Sequence, residues 1–257
     1  MIPKIIHYCW FGKAEKSELI QKCMASWQEK LPDYQLMEWN EETFDIDNVP
    51  YVKQAYEAKK WAFVADYVRL WAVKKYGGIY LDTDVEVIKT FDELLDREAF
   101  ICFEHNASER YPLLEAAVIG SVKYGAWITE MLKISETKNF IQTDGSIDIT
   151  PLPYVLAVRT KQLYGIKFNN CEQTNSYLTI YPYEYFSPYS NTGEKKEQTD
   201  NTFAIHRFNG SWLPDEAKDI MRYIERYGRV GKALFAIRHP KKTAAYLKYK
   251  KKHKSRK

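Results

Sequence analysis

Cysteine is scarce in this 257-residue sequence, and no two of the four cysteines form a CxxC pair. They lie far apart, at Cys9, Cys23, Cys102 and Cys171. Such a spread argues against a zinc knuckle and against a disulfide scaffold. Free thiols fit a reducing compartment, and we therefore expect a cytoplasmic protein.

The sequence also lacks an apolar run long enough to cross a bilayer. The first strand-like run is IPKIIHYCWFG (residues 2–12), and we expect no signal peptide before it. What the chain does have is length for one large core, and many aromatic residues, with 20 Tyr and 7 Trp. Aromatic side chains suit a core and also suit surfaces on which sugars or bases stack.

Acidic residues are absent from the C-terminal end. From residue 229 onward there are 12 Lys/Arg and no Asp/Glu, whereas residues 1–228 carry 26 Lys/Arg against 34 Asp/Glu. We predict an acidic body, 1–228, and a basic, amphipathic, partly disordered tail, 229–257, in which the apolar residues are Leu234, Phe235, Ile237, Tyr246 and Leu247.

The tail's composition is typical of a segment that lies on an anionic membrane. We expect the protein to be peripheral on the inner face of the cell membrane. A merely solvated tail is one alternative. A tail that binds nucleic acid is another, but the acidic body argues against it, and we expect no nucleic-acid partner.

Strand-like runs alternate with helical patterns along the body. This order predicts an α/β fold with a single Rossmann-like, mostly parallel sheet flanked by helices. The predicted strands include single runs over 79–88, 166–170 and 178–186, and a short helix is predicted after an N-cap at Asn40. The strongest helical pattern covers 61–76 and stops at Gly77-Gly78, which suits a helix terminator.

The stretch YGGIYLDTDVEV (residues 76–87) contains two aspartates within an apolar strand pattern. Strand side chains alternate in direction, so Tyr80, Asp82, Asp84 and Glu86 are expected on one face. Two carboxylates so placed suit Mg²⁺ or Mn²⁺, which would neutralise a diphosphate as a leaving group. A DxD pattern alone is weak, because Asp45-Ile46-Asp47 also matches it; we interpret that copy as a solvated loop.

The preceding helix adds Asp66 and Arg69, which share a face at i, i+3 among apolar residues. One interpretation is an internal salt bridge. The other is a pair that hydrogen-bonds sugar hydroxyls, because a buried ion pair is a costly way to gain stability.

With these residues in place, the sequence resembles the DXD-containing sugar transferases of glycosyltransferase family 32, which include bacterial capsule and lipopolysaccharide enzymes and are distantly like the glucosylating clostridial toxins. The resemblance rests on IPKIIHYCWFG, Ser26-Trp27, ADYVRLWAVKKYGGIYLDTD and AIHRFNGSW (204–212). It implies a GT-A fold, a nucleotide-sugar donor and retention at the anomeric carbon.

Residue roles follow from the resemblance. Trp10 would stack on the nucleotide base, although a core Trp is the alternative. Asp66 and Arg69 would hold hydroxyls of the donor sugar. Tyr80 would lie near the sugar or diphosphate.

The resemblance also assigns the metal end of the site. Asp82 would contact ribose and metal, and Asp84 would bind the metal directly. His206 would ligate metal or contact the diphosphate, and Ser211 and Trp212 would contact phosphate oxygens. The acceptor side matches loosely, and Glu104, His105 and Asp148 are expected to be surface or capping residues.

The resulting prediction is a metal-dependent retaining hexosyltransferase. Its donor would be UDP-galactose or UDP-glucose, and its acceptor a lipid-linked capsule or lipopolysaccharide intermediate. Two alternatives stay open: a metal-dependent phosphohydrolase or nucleotidyltransferase with the same carboxylates, and a non-enzymatic adaptor that binds membrane or nucleic acid through the tail.

Overall fold

A computed structural model describes residues 1–105, 107–189, 197–210, 216, 219–220, 223, 227 and 230–252. Its strands are β1 Ile5–Cys9, β2 Gln35–Trp39, β3 Gly78–Leu81, β4 Val85–Val87, β5 Ala99–Cys102, β6 Val118–Ser121, β7 Gln173–Thr174, β8 Thr179–Tyr181 and β9 Ala204–His206. Its helices are α1 Glu18–Lys30, α2 Pro50–Glu57, α3 Trp61–Tyr76, α4 Ala126–Glu136, α5 Leu152–Tyr164, α6 Gly231–Arg238 and α7 Pro240–Lys252.

Seven strands form one sheet in the order β2-β1-β3-β6-β5-β8-β7. β1, β2, β3, β5 and β8 run in one direction, while β6 and β7 are antiparallel to their neighbours. The predicted α/β class with a mostly parallel sheet is confirmed, and the arrangement is consistent with the GT-A type. A separate two-stranded sheet pairs β4 with β9.

The sheet separates two apolar layers. Side chains on successive residues of β3 alternate, so that Tyr80 packs toward the helical layer of α2 to α5, and Ile79 and Leu81 pack toward the layer beneath α1 and β4. Trp27 and Trp127 are completely buried, one in each layer. The sheet therefore has helices or a second sheet on both faces, which accounts for its nearly continuous apolar strands.

The predicted strand over 79–88 is two strands. β3 ends at Leu81, the chain turns with a hydrogen bond from Val85 N to Asp82 O of 2.9 Å, and β4 joins the other sheet. Asp82 and Asp84 thus lie in a turn, and strand alternation does not explain why they converge. The prediction of one strand was wrong because periodicity cannot detect a change of sheet within an unbroken apolar pattern.

Three other local predictions were wrong. Residues 41–43 form a turn and not a helix, because the Asn40 side chain accepts the amides of Glu42 and Thr43 at 2.9 and 3.2 Å. No strand forms over 166–170; the nearest strand is β7. β8 ends before Pro182, which has no N–H to donate. The segment PDEAKDIMRYIERYG (214–228), which its sequence predicts to be a helix opened by Pro214, falls largely outside the described residues.

The four cysteines are free thiols, and three of them are buried. Within the part of the chain that the structure describes, no helix is both long enough and apolar enough to span a membrane.

Gly78 opens β3 and positions the chain just before the aspartates. Its φ is +108°, and an added Cβ would lie 2.6 Å from the carbonyl oxygen of Ile5 on the neighbouring strand. We expect Gly78→Ala to lower the free energy of unfolding by at least about 2 kcal/mol, because it combines backbone strain with a backbone clash.

Gly165→Ala is the matched control, since Gly165 has a φ of +65° but open space around its Cβ position. It should cost only about 1 kcal/mol. Urea unfolding of both variants measures the difference, and equal losses would contradict a close approach of β3 to β1.

Candidate functional site

The DxD turn is fixed from below by α1. The indole Nε1 of Trp27 donates to Val85 O at 2.7 Å, and the Ser26 hydroxyl accepts the Val87 amide at 2.8 Å. These bonds secure β4 immediately after Asp84. Ser26-Trp27, one of the segments of the sequence resemblance, thus supports the turn rather than the ligand space above it.

Pairing with β9 brings His206 to the same turn. Val85 lies opposite His206 in the register, and the Arg207 amide donates to Asp84 O at 3.0 Å. The Arg207 guanidinium also binds the Glu86 carboxylate. Residues more than a hundred positions apart in the sequence are therefore joined on both sides of Asp84.

Asp82, Asp84 and His206 form a cluster. One ligand atom of each lies within 4.8 Å of the other two, and all three side chains are partly accessible. The His206 Nε2 lies 3.6 Å from Asp84 Oδ1, which is beyond hydrogen-bond distance. Two carboxylates and an imidazole close to one small volume are a donor set that could hold a divalent metal.

The Asp84 carboxylate carries further contacts. Its Oδ2 accepts the Asn209 amide at 2.7 Å. Burial alone would raise the pKa of Asp84, but the charge of His206 and the hydrogen bond from the Asn209 amide outweigh burial and lower it. The lowered pKa keeps the Asp84 carboxylate ionised at neutral pH.

Arg69 is the centre of a buried ion-pair network, and its side chain is 6% exposed. Its Nη2 lies 2.9 Å from Asp66 Oδ1, and its Nη1 lies 3.2 Å from Asp82 Oδ2 and 2.8 Å from Ala116 O. Its Nε donates to Ala65 O at 3.3 Å. Four of the five guanidinium hydrogens are thus engaged inside the protein.

Asp66 keeps more access than Arg69, with 20% of its side chain exposed. Burial raises its pKa to about 6, against the opposing charge of Arg69. Each interpretation of the pair therefore describes one of its members. Arg69 is an internal ion-pair residue, whereas the Asp66 side chain is still partly exposed. The hydroxyl-binding role stays a prediction.

Tyr80 lies beneath the site and is 1% exposed. Its hydroxyl donates to Asp82 Oδ1 at 2.7 Å, and the Arg69 guanidinium lies 4.6 Å from its ring centre. These contacts fix the Asp82 carboxylate from two sides. The predicted contact with sugar or diphosphate is not tested by them.

Trp10 follows β1 at the same carboxyl edge of the sheet as the DxD turn, because β1 and β3 are parallel. Its Nε1 donates to Ala14 O at 2.8 Å, and the Lys16 ammonium lies 5.2 Å from its ring centre. Trp10 is partly exposed and not a core residue. One face of the ring is covered by Lys16, so any base must stack on the other.

Ser211 and Trp212 lie outside the described residues. The segment that carries them is described only up to Gly210. Asp45 and Asp47, the second DxD pair, are exposed, and Asp47 pairs with Lys53 at 2.9 Å. The solvent exposure interpreted for that pair is confirmed, but the segment is a short 3-10 helix, Ile46–Asn48, whose Asp47 amide donates to the capping Asp45 carboxylate at 3.2 Å.

Glu115 was missed by the sequence analysis. It lies just before β6, is 2% exposed, and contacts His206 Nδ1 at 3.2 Å. The signal was absent because LEAAVIGS looks like an ordinary strand entry. Its partner is 91 residues away, and no local pattern relates the two.

Of the three residues predicted to be surface or capping residues on the acceptor side, only Asp148 has such a role. Asp148 accepts the Thr150 amide at 2.9 Å, which is a capping role as predicted. Glu104 is partly buried, and burial together with the charge of Glu115 raises its pKa to about 7. His105 packs against the Tyr183 ring at 4.5 Å. The surface assignment of Glu104 and His105 was wrong, because both follow a fully buried strand directly.

The raised pKa of Glu104 makes the free energy of unfolding depend on pH. Its pKa rises from an ordinary 4.5 to about 7 on folding, so the folded state binds the proton more tightly and stability is lost as pH rises between these values. Glu104→Gln is expected to be more stable than the parent by roughly 3 kcal/mol at pH 8, and equal to it at pH 4.

Urea unfolding of the metal-free protein across this range measures the effect. Glu109→Gln serves as the control, because Glu109 is exposed and pairs with Lys161. A stability difference between Glu104→Gln and the parent that does not change with pH would contradict the raised pKa of Glu104.

Comparison with known proteins places the DxD segment in context. Residues 17–101 match a protein family described as a glycosyltransferase sugar-binding region containing a DXD motif. Inositol phosphoceramide mannosyltransferase 3 of Schizosaccharomyces pombe (strain 972 / ATCC 24843) is 34% identical over 107 residues, which is 39% of this chain. The match spans 29% of that relative's length.

Solved structures with a similar course of the chain are also glycosyltransferases. The PaToxG glycosyltransferase has a TM-score of 0.47 and 20% identity, over 64% of this chain and 70% of that one. A glycosyltransferase involved in glycosylation of the major capsid of PBCV-1 has a TM-score of 0.48 and 13% identity, over 86% and 100%. Both scores are below 0.5, so the site is interpreted from its own residues.

Proposed function

We propose that this protein is a metal-dependent glycosyltransferase that moves a hexose from a nucleotide-sugar to a hydroxyl of a glycan or glycolipid. The convergence of Asp82, Asp84 and His206 within 4.8 Å carries the proposal, because the same DxD lies inside the matched sugar-binding region. The relative from Schizosaccharomyces pombe bears the name of a mannosyltransferase.

Asp82, Asp84 and His206 would hold the metal. When bound, it would supply positive charge that stabilises the departing diphosphate. Mn²⁺ suits this donor set better than Mg²⁺, because one of the three ligands is an imidazole. Arg69 and Tyr80 keep the Asp82 carboxylate in position, and the free face of Trp10 would receive the base.

We propose that transfer proceeds with retention, without a covalent enzyme intermediate. The bond between the anomeric carbon and the phosphate oxygen breaks, the acceptor oxygen bonds to that carbon from the same face, and its proton passes to the leaving phosphate. The site carboxylates support this route, because Asp82 is bonded by Arg69 and Tyr80, and Asp84 faces His206. Positioning of the two substrates then provides much of the rate.

A donor screen by thermal shift with Mn²⁺ tests the function first. A bound donor raises the melting temperature by mass action. The screen includes UDP-galactose and UDP-glucose, which we favour, together with UDP-GlcNAc and GDP-mannose. Transfer to a glycan acceptor, with the product anomer read by NMR, then separates a transferase from a phosphohydrolase. If the protein only hydrolyses the donor, and added acceptor neither becomes glycosylated nor speeds up the release of sugar, the proposal is contradicted.

We further propose that the C-terminal helices place the protein on the cytoplasmic face of an anionic membrane, next to a lipid-linked acceptor such as a capsule or lipopolysaccharide intermediate. Ile237 is 76% exposed and Leu247 57%. Exposed cations accompany them, at Lys232, Arg238, Lys241 and Lys248. Phe235, however, is 1% exposed against Tyr223 and His239 and is unavailable to lipid.

Because Phe235 packs against a residue of the body, the membrane test uses the full chain. Ile237→Ser combined with Lys241→Glu and Lys248→Glu should reduce co-sedimentation with phosphatidylglycerol vesicles, since each cation contributes about 1 kcal/mol. Lys53→Glu is the control, because it reverses an exposed positive charge on α2, within the body. Unchanged sedimentation of the triple variant would exclude the tail as the membrane contact.

A further inference from the structure

Glu115 is a buried acid whose carboxylate contacts one backbone amide and the His206 ring. Its side chain is 3% exposed, and a buried carboxylate costs several kcal/mol unless it is paired. Oε1 accepts the Ala117 amide at 3.0 Å, and Oε2 lies 3.2 Å from His206 Nδ1. Among the described residues, no Lys or Arg forms an ion pair with it, so His206 is its charged partner.

The backbone around Glu115 is bonded to the rest of the site. The Glu115 amide donates to Cys102 O at 2.9 Å, Ala116 O accepts from Arg69, and Ala117 O accepts the Asp82 amide at 2.9 Å. Three consecutive residues thus contact the network of Arg69, the DxD turn and His206. The Glu115 carboxylate therefore has a fixed position relative to Asp82.

This contact determines which nitrogen of His206 carries hydrogen. An ionised carboxylate has no hydrogen to donate, so Nδ1 must be the donor to Glu115. A metal on the Nε2 side would require a neutral ring, and the hydrogen that Glu115 holds on Nδ1 would then leave the lone pair on Nε2, which lies 3.6 Å from Asp84 Oδ1. The reverse tautomer would place a hydrogen where the ligand lone pair is needed.

We propose that Glu115 is a positioning residue that orients the His206 ring and selects its Nδ1–H tautomer, so that Nε2 completes the metal site with Asp82 and Asp84. The inference rests on the proposed metal-dependent function. Glu115 is not one of the three clustered ligand residues, and its carboxylate contacts the Ala117 amide and His206. Its effect passes through His206, as for carboxylates that support metal-bound histidines in general.

Mn²⁺ affinity of the full chain, measured by electron paramagnetic resonance, tests the inference without any sugar transfer. Glu115→Ala is expected to weaken Mn²⁺ binding by about 10- to 100-fold. Glu115→Gln preserves side-chain volume and an acceptor oxygen, and should recover part of the loss. Glu130→Gln, which removes an acid paired with Lys133 and Arg159 on α4 and α5, should bind Mn²⁺ like the parent.

A double-mutant cycle separates positioning from a structural effect. In a His206→Ala background, Glu115→Ala should cause no further loss of Mn²⁺ affinity, because the group through which it acts is gone. An equal loss in both backgrounds, or parental affinity in Glu115→Ala, would overturn the inference. ¹⁵N NMR of the His206 ring adds a direct measurement: the Mg²⁺-loaded parent should show hydrogen on Nδ1 and none on Nε2.

Glu115→Gln also covers the case in which the alanine variant does not fold, because the tautomer populations of His206 can be read in it. In that case, a parental ring spectrum together with parental Mn²⁺ affinity in Glu115→Gln overturns the positioning role and leaves the proposed function standing. If the parent protein binds neither Mn²⁺ nor any nucleotide-sugar, the proposed function fails, and the role of Glu115 fails with it.

Discussion

Asp84→Ala should lower kcat/KM for sugar transfer by at least about 10³-fold while leaving the fold intact. The loss corresponds to about 4 kcal/mol of charge stabilisation on the departing diphosphate. Asp84 is expected to carry this effect because it is ionised, faces His206, and lies in a turn whose ends are fixed by Trp27 and by pairing with β9.

Two controls sharpen the experiment. Asp47→Ala removes an acid from the second DxD pair, which is exposed, and should transfer sugar at the parental rate. Asp84→Asn keeps an oxygen for the Asn209 amide and removes the charge, so it separates metal binding from loop anchoring. Parental transfer by Asp84→Ala with Mn²⁺ present would show that the metal site lies elsewhere.

The second large effect is on stability. Arg69→Ala should lower the free energy of unfolding by about 3–5 kcal/mol, because it leaves Asp66 and Asp82 without their common buried partner. The Ala116 carbonyl would lose its donor as well. Arg69→Lys should restore only part of the loss, because an ammonium cannot bridge all of these oxygens with one planar group.

Arg159→Ala is the matched control, since Arg159 pairs with Glu130 in a more exposed place, with side-chain exposures of 36% and 28%. It should cost no more than about 1 kcal/mol. Urea unfolding of metal-free protein compares the three variants. If Arg69→Ala and Arg159→Ala lose the same small amount, Arg69 is a ligand residue and not the centre of an internal network.

Local patterns predicted much of the frame. The 61–76 helix, its stop at Gly77 and the first strand, β1, follow from periodicity and terminator chemistry, which act over a few residues. The same patterns failed where a longer-range choice was made. The apolar run 79–88 looks continuous, yet pairing with β9 draws its second half into another sheet.

The sequence by itself determined which residues carry charge near the strand ends: the DxD pair, Asp66 and Arg69, and the basic C-terminal segment. Only the tertiary structure decided how those charges are used. It engaged Arg69 internally, left Asp66 facing outward, and placed Glu115 behind His206. The reason is that the free energy of a buried charge depends on its partners in space. Apart from the Asp66–Arg69 pair within α3, the contacts of Arg69 with Asp82, Glu115 with His206 and Asp84 with Asn209 join residues 13 to 125 positions apart along the chain.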